Sequence, residues 1–232
     1  MPKNTHKVSS FNSKLYIIMR NFKGKQKKPL HPTIVIDDFF ELPQLVRQYA
    51  IGLEYYKGDR GSWPGLRSPM IKDLDPDLVE TIESKLLKAS GLFHSFTASD
   101  MTFQIIPENF GSGWVHDDDE SHDLAGVIYL NDIIIQGSGT VIYNQQGDVN
   151  MQKYTDIFHQ DVCGDDPEKF RNHRLEQRSF FKTTITAESR FNRCIMFDPR
   201  QWHSAENFFG KESADARMTL VFFCNGVYKW QI

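Results

Sequence analysis

The chain has few cysteines and no long apolar run. Its three cysteines, Cys163, Cys194 and Cys224, are widely spaced and form no CxxC pair. The sequence therefore predicts neither a disulfide framework nor a structural zinc site, and it favours a reduced intracellular compartment. No stretch of 18 apolar residues and no apolar segment typical of a signal peptide occurs. We therefore expect a cytoplasmic protein without a membrane span.

Acidic residues are missing from the first 30 positions, which hold eight of the 27 Lys and Arg residues. The rest of the chain therefore carries 19 basic against 30 acidic residues, a net charge of −11. An acidic body is not typical of a nucleic-acid-binding protein, so contact with nucleic acid is expected only through the basic arm. Residues 1–32 are predicted to be an N-terminal extension with one strand at Lys14–Phe22. We favour a solvated or partly ordered arm over a phosphate-binding or targeting segment.

Residues 33–232 are long enough to bury one sizeable core and predict a single domain. Thr33–Phe40 is a short apolar segment expected to form the opening strand. Apolar residues then recur at helical spacing, which predicts helices at about 43–54 and 76–90. The second of these helices has a capping residue at Asp75.

After residue 100 the apolar pattern changes to the alternation expected of strands. The eight candidate strands are Met101–Ile106, Gly113–Asp118, Leu124–Asn131, Gly139–Tyr143, Phe180–Thr186, Arg193–Phe197, Gln201–Glu206 and Arg217–Cys224. Eight short strands that follow two helices predict a mostly β protein of the α+β class with N-terminal helices, built as a sandwich or jelly roll.

A polar insertion at about 144–179 separates the fourth and fifth candidate strands. Asp166–Arg178 is expected to form its one helix. Long loops in compact domains are often functional, so the insertion is either a lid over a site or a surface excursion.

One motif places two potential metal ligands on a predicted strand. His116 and Asp118 are two residues apart, and side chains at that spacing on a strand point to the same face. With eight His and 30 acidic residues in the chain, about one such pair is expected by chance, and a second occurs at His159 and Asp161. That second pair lies in a polar stretch without an alternating pattern, so we expect no fixed geometry there.

A third potential ligand, His203, follows an apolar strand and a turn. Two imidazoles and one carboxylate form the facial triad of non-haem Fe(II) oxygenases, which leaves three coordination positions open. On these residues alone, the alternative that His116 and His203 are ordinary interior histidines remains equally good.

Several further features stand in a recognisable order. They are the opening segment Thr33–Phe40, the His116-x-Asp118 pair, Tyr129-Leu130-Asn131, the turn Gly137–Thr140, the segment Phe197–His203 and the Arg217-x-Thr219 pair. Together they resemble the Fe(II)/2-oxoglutarate-dependent oxygenases, in particular the prolyl-hydroxylase-like branch and its phage-encoded members. The resemblance implies a double-stranded β-helix, or jelly roll, and a cytoplasmic location, which would be the host cytoplasm for a virus-encoded protein.

The resemblance also implies a set of ligands. Fe(II) would be bound by the two histidines and Asp118, and the 2-oxoglutarate carboxylate by Arg217, Thr219 and Tyr129. Arginine suits this role because its guanidinium pairs bidentately with a carboxylate. The implied reaction is a hydroxylation, or a demethylation that follows from one, which uses O2 and forms succinate and CO2, with ascorbate as a candidate reductant.

The substrate is a peptide side chain or a small molecule that the sequence does not identify. Arg67, Gln104, Asp119 and Trp202 are candidate substrate residues. Acidic residues around position 119 suggest a cationic substrate, although a solvated acidic loop explains them as well. The alternatives to an oxygenase are a non-catalytic jelly-roll binding or structural protein and a cupin-like metalloprotein that does not use 2-oxoglutarate. The oligomeric state is open.

Overall fold

The computed structural model describes residues 30–57, 63–163, 167–212 and 214–229. The strand predicted at Lys14–Phe22 and the helix cap predicted at Asp166 lie outside the described residues. No helix among the described residues is both long and apolar enough to cross a bilayer.

Two antiparallel sheets form the body of the molecule. The first contains seven strands in the order β1-β8-β5-β10-β4-β3-β2, and the second contains three in the order β7-β6-β9. Their bounds are β1 Ile34–Ile36, β2 Tyr56–Lys57, β3 Leu66–Arg67, β4 Phe93–Ile106, β5 Leu124–Tyr129, β6 Thr140–Gln145, β7 Phe181–Ala187, β8 Cys194–Phe197, β9 Trp202–Ala205 and β10 Arg217–Tyr228. The two longest strands, β4 and β10, pair along almost their whole length in the centre of the larger sheet.

Three helices precede the long strand β4, and two more lie in the insertion. They are α1 Pro43–Ile51, α2 Ile71–Leu74, α3 Pro76–Ser90, α4 Met151–Cys163 and α5 Arg171–Arg178. At the start of α3, the side chain of Asp75 accepts a hydrogen bond from Leu78 N at 2.9 Å. At its end, Gly91 has a φ of 65°, which a residue without Cβ adopts at little cost.

Apolar side chains form three clusters. The largest lies between α1–α3 and the seven-stranded sheet and includes Ile82, Leu86, Phe103 and Phe222. A second lies beneath the insertion helices, and a third joins residues of both sheets, among them Tyr129 of β5. The third cluster shows that the two sheets pack face to face, as expected for a sandwich.

The prediction that Gly113–Asp118 forms a regular strand is wrong. In this segment only the bridge between His116 and His203 follows a strand pattern. On the other side the segment meets α5 and not a strand: the Gln177 amide accepts from Val115 N at 2.9 Å and donates to Val115 O at 2.7 Å. The Gln177 side chain therefore makes the hydrogen bonds to the Val115 peptide groups that a neighbouring strand would otherwise make.

The insertion also differs from its prediction. In addition to the helix at Arg171–Arg178 it contains α4, Met151–Cys163, which the sequence analysis did not anticipate. Helix α4 buries Met151, Tyr154 and Phe158 in the second cluster, so the polar composition of this stretch conceals one apolar face.

Candidate metal centre

The three candidate ligands His116, Asp118 and His203 converge on one point. Their ligand atoms all lie within 4.8 Å of one another. Nε2 of His203 is 3.3 Å from one carboxylate oxygen of Asp118, and Nε2 of His116 is 3.7 Å from the other. Among the described residues, no other group of three His, Cys, Asp or Glu side chains has this arrangement. One ion at the centre would have two nitrogen ligands and one carboxylate.

Backbone pairing holds the two imidazoles side by side. The N–H group of His116 donates to the carbonyl of His203 at 3.0 Å, and the reverse bond is 2.8 Å long. The ring centroids are 4.3 Å apart. Asp118 N donates to Pro199 O at 2.8 Å, so the chain stays extended beyond the bridge. Asp118 therefore returns to the face that carries His116.

The other ring nitrogen of each histidine contacts a backbone carbonyl. Nδ1 of His116 is 2.9 Å from Trp114 O, and Nδ1 of His203 is 2.9 Å from Gln201 O. These contacts place the proton of a neutral imidazole on Nδ1 and leave the lone pair on Nε2, which faces Asp118. Bonds of this kind also fix the orientation of the ring, as they do for metal-bound histidines in general.

The charge states suit metal binding. Burial, assisted by the charge of His203, lowers the pKa of His116 to about 4. Burial alone would raise the pKa of Asp118, but the charge of His203 and a hydrogen bond from it hold that pKa below its ordinary value. Burial alone would lower the pKa of His203. The charge of the Asp118 carboxylate and its hydrogen bond to His203 have the larger combined effect, so the pKa of that imidazole is raised. At neutral pH His116 is thus neutral and Asp118 ionised, the forms that bind metal.

The triad opens into a pocket between the two sheets, and Arg217 lines the same pocket. This arginine is 3% exposed, and its Nε donates to Ser138 O at 3.2 Å. Its guanidinium carbon lies 5.4 Å from the ring centroid of Tyr129 and 5.8 Å from that of Phe208. In the described part of the chain no carboxylate forms a salt bridge with it, so Arg217 is a buried cation without a counter-ion.

The other two predicted co-substrate residues lie beside Arg217 but do not line the pocket. Thr219 follows on the same face of β10 and pairs with Tyr129 in the sheet. Its hydroxyl is buried and has no hydrogen-bond partner among the described residues. Tyr129 instead donates to Thr140 Oγ1 at 2.7 Å, and Thr140 is the residue of this pair that reaches the pocket.

Of the four candidate substrate residues, Arg67 and Gln104 line the pocket and two do not. Trp202 is buried in the second cluster, where its ring centroid is 5.2 Å from that of Phe181, so it is a core residue. Asp119 accepts a hydrogen bond from Ser121 N at 2.9 Å in a local turn. The expectation that Trp202 lines the pocket is therefore wrong, whereas a role for the charge of Asp119 beside the pocket stays a prediction.

Sequence reasoning missed one acidic residue of the pocket, Asp161 of α4. Asp161 is 3% exposed and forms a salt bridge with Arg174. It also accepts from Trp114 Nε1 at 2.6 Å, and the carbonyl of Trp114 contacts His116. The signal in the sequence is the pair His159-x-Asp161, for which the polar stretch around it predicts no fixed geometry; that prediction is wrong, because both residues lie in α4 and Asp161 is held by Arg174 and Trp114. Together with Phe158, Asp161 makes the insertion one wall of the pocket.

Comparison with known proteins supports the fold and identifies the family. No curated protein matches the sequence. Solved structures with a similar fold include a prolyl hydroxylase from Trichoplax adhaerens in complex with a hypoxia-inducible-factor peptide, at 12% identity and TM-score 0.51, covering 84% of this chain and 83% of that one. HygX from Streptomyces hygroscopicus, with nickel and 2-oxoglutarate bound, matches at 10% identity and TM-score 0.51, covering 83% and 82%.

These likenesses confirm the predicted fold class, a mostly β protein with N-terminal helices built as a double-stranded β-helix. A family model described as a family of unknown function, DUF6445, matches residues 23–224. Because this match spans most of the sequence, the chain belongs to the DUF6445 family.

Proposed function

We propose that this protein is an Fe(II)- and 2-oxoglutarate-dependent oxygenase that hydroxylates a peptide side chain or a small molecule. The observation that carries the proposal is the convergence of His116, Asp118 and His203 on the pocket that also contains Arg217. A metal triad and an uncompensated buried cation in one pocket match a co-substrate that binds metal at one end and carries a carboxylate at the other.

The donor set suits Fe(II). Two imidazoles and one carboxylate bind one side of an ion and leave the remaining positions for co-substrate and O2. The Nδ1 contacts to Trp114 O and Gln201 O, both 2.9 Å, hold the two rings in place before an ion binds. Because Asp118 supplies the carboxylate ligand, hydroxylation is favoured over halogenation, which in this superfamily goes with loss of that residue.

The basic end of the pocket suits a carboxylate. Arg217 would form two parallel hydrogen bonds to it, and the Thr219 hydroxyl, which has no partner in the described structure, is two residues further along the same face. HygX, which has a similar fold, was solved with nickel and 2-oxoglutarate, so this architecture accommodates both groups.

The side chains around the triad have three tasks in such a reaction. The triad holds the ion, Arg217 orients the co-substrate, and aromatic residues such as Phe110, Phe158 and Phe208 exclude water from the pocket. When bound, Fe(II) and 2-oxoglutarate supply the oxidation: one O2 is consumed, 2-oxoglutarate becomes succinate and CO2, and a substrate C–H becomes C–OH.

The test uses the full chain with Fe(II) and 2-oxoglutarate under anaerobic conditions. We expect a weak visible charge-transfer band, which His203→Ala abolishes and which Arg217→Met forms only at much higher 2-oxoglutarate concentration. The matched control is His94→Ala, since His94 is an exposed residue of β4 outside the pocket. In air with ascorbate, slow succinate formation without added substrate should follow the same order.

The absence of both the band and succinate would refute the oxygenase. Metal binding by the triad without 2-oxoglutarate binding would then indicate a cupin-like metalloprotein. Loss of metal binding as well would indicate a non-catalytic jelly roll.

A further inference from the structure

The pocket contains a second arginine, Arg67, which the assignment of metal and co-substrate leaves without a ligand. We propose that Arg67 binds an oxyanion of the primary substrate, a carboxylate or a phosphate, so that the substrate is an acidic molecule. This inference rests on the proposed function only in calling the bound molecule a substrate.

Packing holds Arg67 in a fixed position on the pocket wall. It ends the short strand β3 and pairs with Gln104 of β4. Its guanidinium carbon lies 4.5 Å from the ring centroid of Trp63. Gln104 Nε2 donates to Pro64 O at 3.0 Å, which ties the residues before Arg67 to the same strand. A guanidinium stacked on an indole keeps the donors along its edge available for a ligand.

Among the described residues that line the pocket, none forms a salt bridge with Arg67. The other charged residues that line it are His116, Asp118 and His203 of the triad, Arg217, and Asp161, which is paired with Arg174. Within the described residues no carboxylate forms a salt bridge with Arg67, and its Nε is buried without a hydrogen-bond partner. A guanidinium with a buried, unpaired Nε and no salt-bridge partner favours an anionic ligand that supplies both charge and acceptors.

Arg67 lines the same pocket as the triad. Burial lowers its pKa to about 10, and the negative charge of Asp118 acts in the opposite direction. Arg67 therefore stays charged at neutral pH. A metal ion bound by Asp118 would neutralise that carboxylate. The affinity of Arg67 for an anion would then be higher in the metal-bound protein than in the metal-free one.

The two pocket arginines differ in depth, which separates their ligands. Arg217 is 3% exposed and is the arginine assigned above to the co-substrate carboxylate. Arg67 is partly exposed on β3, near the edge of the larger sheet, and is therefore accessible to a second molecule. Trp63 beside it offers an apolar face, so an anion attached to a flat or apolar group fits best.

The test is calorimetric titration of the full chain with phenyl phosphate, benzoate and the uncharged benzyl alcohol. We expect at least one anion to bind at least tenfold more tightly than benzyl alcohol. Arg67→Gln should weaken that anion at least tenfold and leave benzyl alcohol unchanged. The control is Arg171→Gln, because Arg171 is an exposed arginine outside the pocket and should change nothing. Preference for phenyl phosphate or for benzoate identifies the oxyanion.

The inference is overturned if neither anion binds better than benzyl alcohol, or if Arg67→Gln leaves anion affinity unchanged. It is also overturned if Arg217→Gln removes anion binding and Arg67→Gln does not. Should Arg67→Gln fail to fold, Arg67→Lys decides: it keeps the charge but not the paired donors, so at least a threefold loss is expected, and no loss counts against the proposal. Because no metal or 2-oxoglutarate is present, this result is independent of the charge-transfer band.

Discussion

The buried hydroxyl of Thr219 allows a prediction in which stability and binding change in opposite directions. Thr219 is 0% exposed, and its Oγ1 has no hydrogen-bond partner among the described residues. Valine has nearly the same shape and keeps the branched side chain that suits a strand. Thr219→Val therefore removes an unsatisfied polar group and leaves the packing of β10 intact.

The expected magnitudes follow from this environment. A buried hydroxyl without a partner costs about 1–3 kcal/mol relative to its hydrated state, so Thr219→Val should raise the free energy of unfolding by about 1 kcal/mol or more. If the hydroxyl donates to bound 2-oxoglutarate, its loss removes about 0.5–1.5 kcal/mol of binding free energy. The dissociation constant for 2-oxoglutarate should then rise about two- to tenfold.

Thr140→Val is the matched control, because Thr140 Oγ1 accepts from the buried Tyr129 hydroxyl at 2.7 Å. Removal of that acceptor leaves Ala187 O, at 3.4 Å, as the remaining acceptor for the Tyr129 hydroxyl proton among the described residues, so the free energy of unfolding should fall by about 1–3 kcal/mol. Urea unfolding followed by circular dichroism, without ligand, measures both variants. A Thr219→Val protein that is less stable than the wild type would refute the reasoning, as would equal shifts in both variants.

Two further predictions concern buried ion pairs. Among the described residues, Arg174→Met leaves the buried Asp161 carboxylate with Trp114 Nε1 as its remaining hydrogen-bond donor. The free energy of unfolding, measured in urea, should therefore fall by about 3–5 kcal/mol, and adding Asp161→Asn should recover at least half of it. A loss below about 1 kcal/mol in the single variant would contradict this. Burial alone would raise the pKa of Asp198, but hydrogen bonds from Arg200 hold it below the ordinary 3.8. The stability that Asp198 contributes is therefore present above pH 3.8 and lost as the pH falls through the lower pKa of the folded protein. The difference in the free energy of unfolding between the wild type and Asp198→Asn should shrink below that pH. A difference that stays constant from pH 6 to pH 2 would argue against this role of Asp198.

Local signals explain how much of this fold the sequence predicts. For helix α3, Asp75 indicates the N-cap, Pro76 the first turn and Gly91 the end, and the structure places the helix at Pro76–Ser90. The alternation after residue 100 likewise marks most strands, since one face of each is apolar and buried. These elements are determined by residues close together in sequence or by the burial of one apolar face. Both features can be recognised from one amino-acid sequence.

The parts that sequence reasoning missed depend on contacts between distant residues. The segment 113–118 has the pattern of a strand, but the Gln177 side chain, which is far away in sequence, takes the place of a partner strand. Asp161 was discounted because its surroundings are polar, although Trp114 and Arg174 bury it. Trp202 is a candidate pocket residue in the sequence, but in β9 its side chain packs in the second cluster.

The two hydrogen bonds between Gln177 and Val115 tie the insertion to the segment that carries the candidate metal ligand His116. A chain shortened between β6 and β7 would lose one wall of the pocket and also both hydrogen bonds to the peptide groups of Val115, because these bonds come from Gln177 of α5. His116 is the next residue, so its placement would loosen along with them. In a relative with a shorter insertion, the peptide groups equivalent to those of Val115 need other hydrogen-bond partners, either an additional strand or a side chain from a different loop.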